Sequence, residues 1–177
     1  MKIALCGPLG AGCSEVAELL SAKFNLRIEN TSSLLTSFIS RLKEPFIDLE
    51  SFTRSGEMDV DQLIRHRIGQ VLDDNVIVEG RSGFMLLDRK DVIRVLLVSP
   101  REHRAKHVAE RRGISTEEGF EDVQRSDEER RNMVERLFKK DWLDATNYDL
   151  VVNTSSMREW LTVADLIAEA VKILSKR

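Results

Sequence analysis

Cysteine is scarce in this chain: Cys6 and Cys13 are the only two in 177 residues. One lies inside an apolar run and the other just past it, so neither a disulfide framework nor a metal-ligand spacing can be drawn from them. Such usage suits a reducing compartment. Three prolines and no Pro-rich, repetitive or low-complexity tract leave no linker at which to divide the chain. No apolar stretch approaches the roughly 18–20 residues that cross a bilayer, and Met1-Lys2 runs directly into a strand-like segment, with no room for a signal peptide. A basic surface is missing as well. With 27 Lys and Arg against 30 Asp and Glu, the formal charge is −3, which excludes the diffuse positive field of a non-specific nucleic-acid binder. Any anion site must therefore be local. The expectation is a single cytoplasmic domain, residues 1–177, that acts on small molecules and has no nucleic-acid or membrane partner. Its oligomeric state cannot be read from composition or pattern.

What is present is a regular alternation. With 42 % hydrophobic residues, the chain can bury a sizeable core. Apolar, β-branched runs at Lys2–Cys6, Leu26–Glu29, Val76–Glu79, Val92–Val98 and Leu150–Asn153 read as strands. Helical spacing occupies Ser14–Phe24, Ser33–Leu42, Asp61–Leu72, Arg101–Arg112, Glu117–Lys140 and Arg158–Leu174. Continuously apolar strands alternating with helices predict an α/β fold, a doubly wound parallel five-stranded sheet covered on both faces. Two stretches interrupt the alternation, residues 30–73 and residues 113–147, and both read as covers belonging to the same domain.

The loop after the first strand reads Gly7-Pro8-Leu9-Gly10-Ala11-Gly12-Cys13-Ser14. It has the layout GxxxxGK followed by Ser or Thr, in which backbone N–H groups cradle phosphate oxygens, a Lys reaches the outer phosphates and the hydroxyl serves magnesium. Cys13 stands in place of the Lys. The amides of Gly10–Ser14 and the dipole of the following helix still attract a phosphate without any side chain. Cys13 itself is either a small filler or, at a helix N-terminus, a thiol of lowered pKa.

Glu79 ends the third apolar run, where an acid beside a phosphate loop orders magnesium through its waters. Arg81 follows at once and either grips a phosphate with its planar fork or forms a surface pair with a carboxylate. Arg104, His107 and Arg111 share one helix face, which is either solvated or turned toward the loop to neutralise phosphoryl charge. The same two readings apply to Arg125, Arg130, Arg131 and Arg136, with Asp127, Glu128 and Glu129 among them.

Taken together these segments resemble the nucleoside monophosphate kinases, and specifically the cytidylate kinase-like family, which shares the P-loop NTPase fold. The resemblance rests on Val78-Glu79-Gly80-Arg81-Ser82-Gly83, on the run from Pro100 to Gly113 with Arg104, Ala109, Glu110 and Arg111, and on Asp141-Trp142-Leu143-Asp144 followed by Tyr148-Asp149-Leu150-Val151-Val152-Asn153-Thr154. Relatives often carry a small residue where Cys13 stands. The resemblance implies ATP-dependent phosphoryl transfer to a nucleoside monophosphate, CMP or dCMP first, with ATP and Mg2+ as cofactors.

It also implies roles. Gly7, Gly10, Ala11, Gly12, Cys13 and Ser14 would hold the donor phosphates, Ser14 and Glu79 the metal, and Arg81 the acceptor's phosphate. His107, Asn153 and Thr154 would lie near the donor base, and Arg111 on the donor phosphates. Arg125, Arg130 and Arg131 would close over the transferring group. Residues 30–73 would form the acceptor-binding insertion and 113–147 the lid. This chain departs from relatives at Asn30-Thr31-Ser32-Ser33-Leu34-Leu35-Thr36, which lacks an expected acceptor-phosphate arginine; Arg41 and Arg54 are candidate substitutes. An aromatic residue expected near Val134 is also missing. The alternatives are another small-molecule kinase of the same fold and a nucleotide-binding regulatory protein without transfer.

Overall fold

The computed structural model describes residues 1–39, 60–72 and 75–176. Arg41 and Arg54 lie outside the described residues, as does the part of the expected helix Ser33–Leu42 beyond Ile39. Among the described residues the strands are β1 (Lys2–Cys6), β2 (Arg27–Glu29), β3 (Val76–Glu79), β4 (Ile93–Val98) and β5 (Leu150–Asn153). The helices are α1 (Cys13–Phe24), α2 (Thr31–Ile39), α3 (Val60–Val71), α4 (Arg101–Arg112), α5 (Thr116–Phe138) and α6 (Trp160–Leu174). Short 3₁₀ turns follow β3 at Gly80–Leu86 and β5 at Thr154–Ser156.

Every strand pair is parallel, in the order β2-β3-β1-β4-β5. Side chains alternate across β1, so Ile3 and Leu5 enter one core while Ala4 and Cys6 enter the other. All four are fully buried. That is why the run reads as continuously apolar: both faces of the sheet are covered. The first core takes Val16 and Leu20 from α1 and Val163, Ile167 and Val171 from α6. The second takes Phe84 and Met85 from the turn after β3 with Met133 and Val134 from α5, and is closed by Trp142, whose ring sits 5.6 Å from that of Phe84. Each fully buried Leu or Ile contributes roughly 1.5–3 kcal/mol.

The Tyr148-Asp149 pair has a structural task. Tyr148 donates its hydroxyl to the Trp142 carbonyl, and Asp149 Oδ2 accepts from Arg94 N at 2.9 Å and Arg94 Nε at 3.2 Å. The Asp149 bonds fasten the entry of β5 to β4, and the Tyr148 bond ties it to the segment that carries Trp142. Helix α5 is nailed along α4. Its Ser115–Glu118 capping box fixes the start, and Gly119 lets the helices meet so closely that a Cβ there would lie 2.5 Å from the Ala105 carbonyl.

With β1 between β3 and β4, the carboxyl ends of the three strands open one crevice, where ligands collect in such sheets. The loop after β1, the turn after β3 and the start of α4 all border it. No helix among the described residues is long and apolar enough to cross a membrane.

Candidate active site

The loop from Gly7 to Gly12 is held from behind at three consecutive carbonyls. Arg104 Nη1 donates to Leu9 O at 3.2 Å, His107 Nδ1 lies 3.1 Å from Gly10 O, and Thr154 Oγ1 donates to Ala11 O at 3.1 Å. In a trans peptide the C=O and N–H point in opposite directions. Tethering the carbonyls of Leu9 and Ala11 therefore turns the amides of Gly10 and Gly12 the other way, and both glycines line the cavity on that side. Gly10 and Gly12 have φ of 83° and 94°, a region that favours glycine. Space forbids other residues too: a Cβ on Gly10 would lie 2.6 Å from the Arg104 carbonyl, and one on Gly12 2.3 Å from the Trp160 ring. Ala11 differs from the expectation. It is fully buried, its amide is bonded to Pro8 O, and it does not line the cavity.

The cavity enclosed by this loop measures about 60 Å³, the scale of a phosphoryl group, and is bounded by Gly7, Gly10, Gly12, Cys13, Ser14, Glu15, Glu79, Gly80, Arg111 and Arg130. Cys13 is buried, and its sulfur packs where a Cβ on Gly7 would lie 2.6 Å away. Burial, reinforced by the Glu79 charge, pushes its thiol up to about 12. The lowered thiol pKa considered from its helix-terminal position is thus corrected: desolvation outweighs the dipole, and Cys13 fills space.

Ser14 Oγ lies 3.4 Å from each Glu79 carboxylate oxygen, longer than the about 2.5–3.0 Å of a close O–H···O bond. Glu79 is buried at the end of β3. Burial raises its carboxyl above the ordinary value, against the opposing pull of hydrogen bonds from Ser14 and Asn30. A hydroxyl and a desolvated carboxylate facing one small cavity form a hard-oxygen donor set of the kind that suits magnesium.

Two arginines reach the cavity. Arg111 from α4 is 3.5 Å from Glu15 Oε1. Arg130 from α5 anchors Nη1 on the Ser126 carbonyl at 3.2 Å, while its Nε is buried without a partner. Burial pulls the Arg130 guanidinium below its ordinary pKa, and the Cys13 site opposes that pull. Arg130 thus brings a cation to the floor of the loop where Cys13 brings none. The other two expected lid arginines are placed elsewhere. Arg125 has a side chain 68 % exposed and pairs with Asp122 one turn away, and Arg131 is exposed. For Arg125 the reason is helical phase, since the face of α5 that buries Val123, Asp127 and Val134 puts it outward.

The Arg104, His107 and Arg111 face is turned inward against the loop and α1. Arg104 is buried and donates to both oxygens of buried Asp127 at 2.9 and 2.8 Å, and to Ser99 O at 3.0 Å. It acts on the loop as a staple, at a distance from the cavity lining. Both ring nitrogens of His107 face acceptors, Gly10 O and, at 3.2 Å, Glu15 Oε1. Its ring lies 5.2 Å from that of Trp160.

Beyond this pair opens a larger cleft of about 310 Å³ between α4 and the turn after β5, lined by His103, Lys106, His107, Thr154, Met157 and Trp160 among others. Gly10 lines both cavities. Thr154 and His107 line this cleft, whereas Asn153 does not; its Oδ1 caps the following turn, accepting from Ser155 N at 3.1 Å. Arg81 faces the other end of the crevice, its Nη2 3.1 Å from Asp61 and its Nη1 3.3 Å from Glu129. Trp160, Glu15 and Asp61 join these groups only in the folded chain. Only Glu15, next to Ser14, carried any signal in the sequence.

A phosphate-sized cavity over an amide nest, with a base-sized cleft behind it, is the layout of a nucleotide kinase. The sequence matches the profile of the cytidylate kinase-like family over residues 2–156. The chain belongs to that family. It is 29 % identical over 169 residues to the cytidylate kinase of Sulfolobus acidocaldarius, covering 94 % of this chain and 92 % of that one. It is 30 % identical to the cytidylate kinase of Methanocorpusculum labreanum, over 100 % of this chain and 99 % of the relative. Among solved structures, the shikimate kinase of Bacteroides thetaiotaomicron shares the fold with a TM-score of 0.62 at 15 % identity, covering 97 % and 96 % of the two chains. The five-stranded parallel sheet is thus that of the small P-loop kinases, and membership extends from β1 through the turn after β5.

Proposed function

We propose that this protein transfers the γ-phosphoryl group of ATP to a nucleoside monophosphate, CMP or dCMP by preference. The observation that carries the reading is Arg130: a half-buried guanidinium whose Nε is buried and unpartnered, lining the same small cavity as Gly10, Gly12 and Cys13. A donor nucleotide would lay its base in the cleft between His107, Thr154 and Trp160 and lead its phosphates over Gly10 into the loop. Ser14 and Glu79 would hold magnesium, which when bound supplies charge neutralisation on the phosphates. Arg111 and Arg130 would neutralise charge spreading over the transferred group, the share of the load a loop Lys otherwise takes. The acceptor's own phosphate oxygen is anionic at neutral pH, so no strong general base is required. Positioning and exclusion of water then suffice as the protein's contribution.

Purified protein incubated with ATP, magnesium and a panel of monophosphates tests this by the appearance of ADP. Transfer to CMP or dCMP ahead of AMP, GMP and UMP is the expected result. No ADP with any of them, together with ATP-dependent thermal stabilisation, would replace the enzyme with a nucleotide-binding regulator.

A further inference from the structure

The acceptor end of the crevice holds a charge cluster drawn from three separate segments. Asp61, in the first turn of α3, is buried. One of its oxygens accepts from Arg81 Nη2 at 3.1 Å and the other from Arg136 Nη2, so two guanidinium groups share one carboxylate. Arg81 arrives from the turn after β3 and Arg136 from the last turn of α5. The charge of Arg81 also disfavours the Arg130 cation. Helix α2, the element directly behind β2 on the same side of the sheet, contains no basic residue.

Two planar forks converging on the two oxygens of one oxyanion have the donor layout of a phosphate site. The carboxylates of Asp61 and Glu129 oppose the charges of Arg81 and Arg136, so an incoming dianion has to displace a carboxylate to reach both guanidinium groups. We infer that Arg136 is the second arginine on the acceptor's phosphate and that Asp61 is an internal anion which this phosphate displaces. The inference rests on the kinase reading and narrows its substrate class. A phosphomonoester dianion outcompetes a tethered monoanion for two guanidinium groups, whereas a free carboxylate, no more charged than Asp61 itself, does not. The clamp therefore selects phosphorylated acceptors against carboxylate-bearing ones.

Steady-state kinetics of the full chain with CMP and ATP would test this in wild type, Arg136→Ala, Arg136→Lys and Asp61→Asn. Arg136→Ala is expected to raise the CMP KM about tenfold or more, the weight of a charge-assisted pair, with the ATP KM unchanged. Arg136→Lys recovers part of that loss. Asp61→Asn lowers the CMP KM. An unchanged CMP KM in Arg136→Ala, or a tenfold rise in Asp61→Asn, overturns the inference. If wild type yields no ADP with any monophosphate, the kinase reading fails by itself, and calorimetric titration with inorganic phosphate then reads the clamp. Binding weakened in Arg136→Ala and tightened in Asp61→Asn supports it, while equal binding in all three proteins sinks it.

Discussion

The proposed donor and acceptor ends of the crevice are built on different principles. At the donor end the ligand-facing groups are mostly main-chain amides, fixed because Arg104, His107 and Thr154 hold the loop carbonyls from behind. At the acceptor end they are long side chains, Arg81 and Arg136, poised on a carboxylate from a third segment. The first arrangement leaves little to reorganise when phosphate arrives. The second exchanges one anion for another and can be retuned by a single substitution.

The sharpest way to break the contrast is to remove its rigid side. Asp127→Ala strips the partner from buried Arg104 and should cost about 3–5 kcal/mol of stability, read as a lowered Tm and denaturation midpoint. If the loop depends on that staple, donor binding weakens while acceptor binding to the same protein is spared. A loss of acceptor affinity alone would reverse the assignment of the two ends. Next in size, Arg130→Ala should lower kcat by about 10²–10³-fold, the weight of one preorganised charge donor. Arg125→Ala should change it by less than about threefold, as for an exposed ion pair. Comparable losses in both variants would mean that α5 closes differently in the working enzyme.

The smallest effect concerns Glu79. Its carboxyl is raised by burial, so the folded state holds that proton more tightly than the unfolded chain does. The sign follows: this contribution to stability is present at low pH and is lost as pH rises through the raised folded value. Glu79→Gln should accordingly have a higher Tm than wild type in metal-free neutral buffer. The gap closes as pH falls toward the ordinary glutamate value of about 4.3. A Glu79→Gln protein less stable than wild type at neutral pH would show the carboxylate to be better solvated than its burial implies.

Much of the fold was legible because a strand buried on both faces must be apolar throughout. β1, β3 and β5 appear with the bounds their sequence implies, and α4 does as well. Helix ends moved by a residue or two: α1 begins at Cys13 instead of Ser14 because Gly12 already supplies the left-handed cap. The amide nest was legible too, since only glycine tolerates the positive φ at positions 10 and 12. Other features carried no local signal. Trp160 looked like one more apolar position of the last helix, yet its ring covers Gly12. Arg104 looked like a member of a charged face, yet it is buried.

Local chemistry thus determined the layers, the strand run and the phosphate loop, because periodicity, glycine conformation and a missing Lys act within a few residues. Tertiary structure decided which arginines matter. Nine Lys and Arg side chains on α4 and α5 are equivalent as text, and the phase of each helix against its neighbour sends Arg130 into the cavity, Arg104 into the core, Arg136 to Asp61 and Arg125 to solvent. That phase is set by which apolar residues of each helix are buried, a property of the packed whole, so charge pattern alone could not assign it.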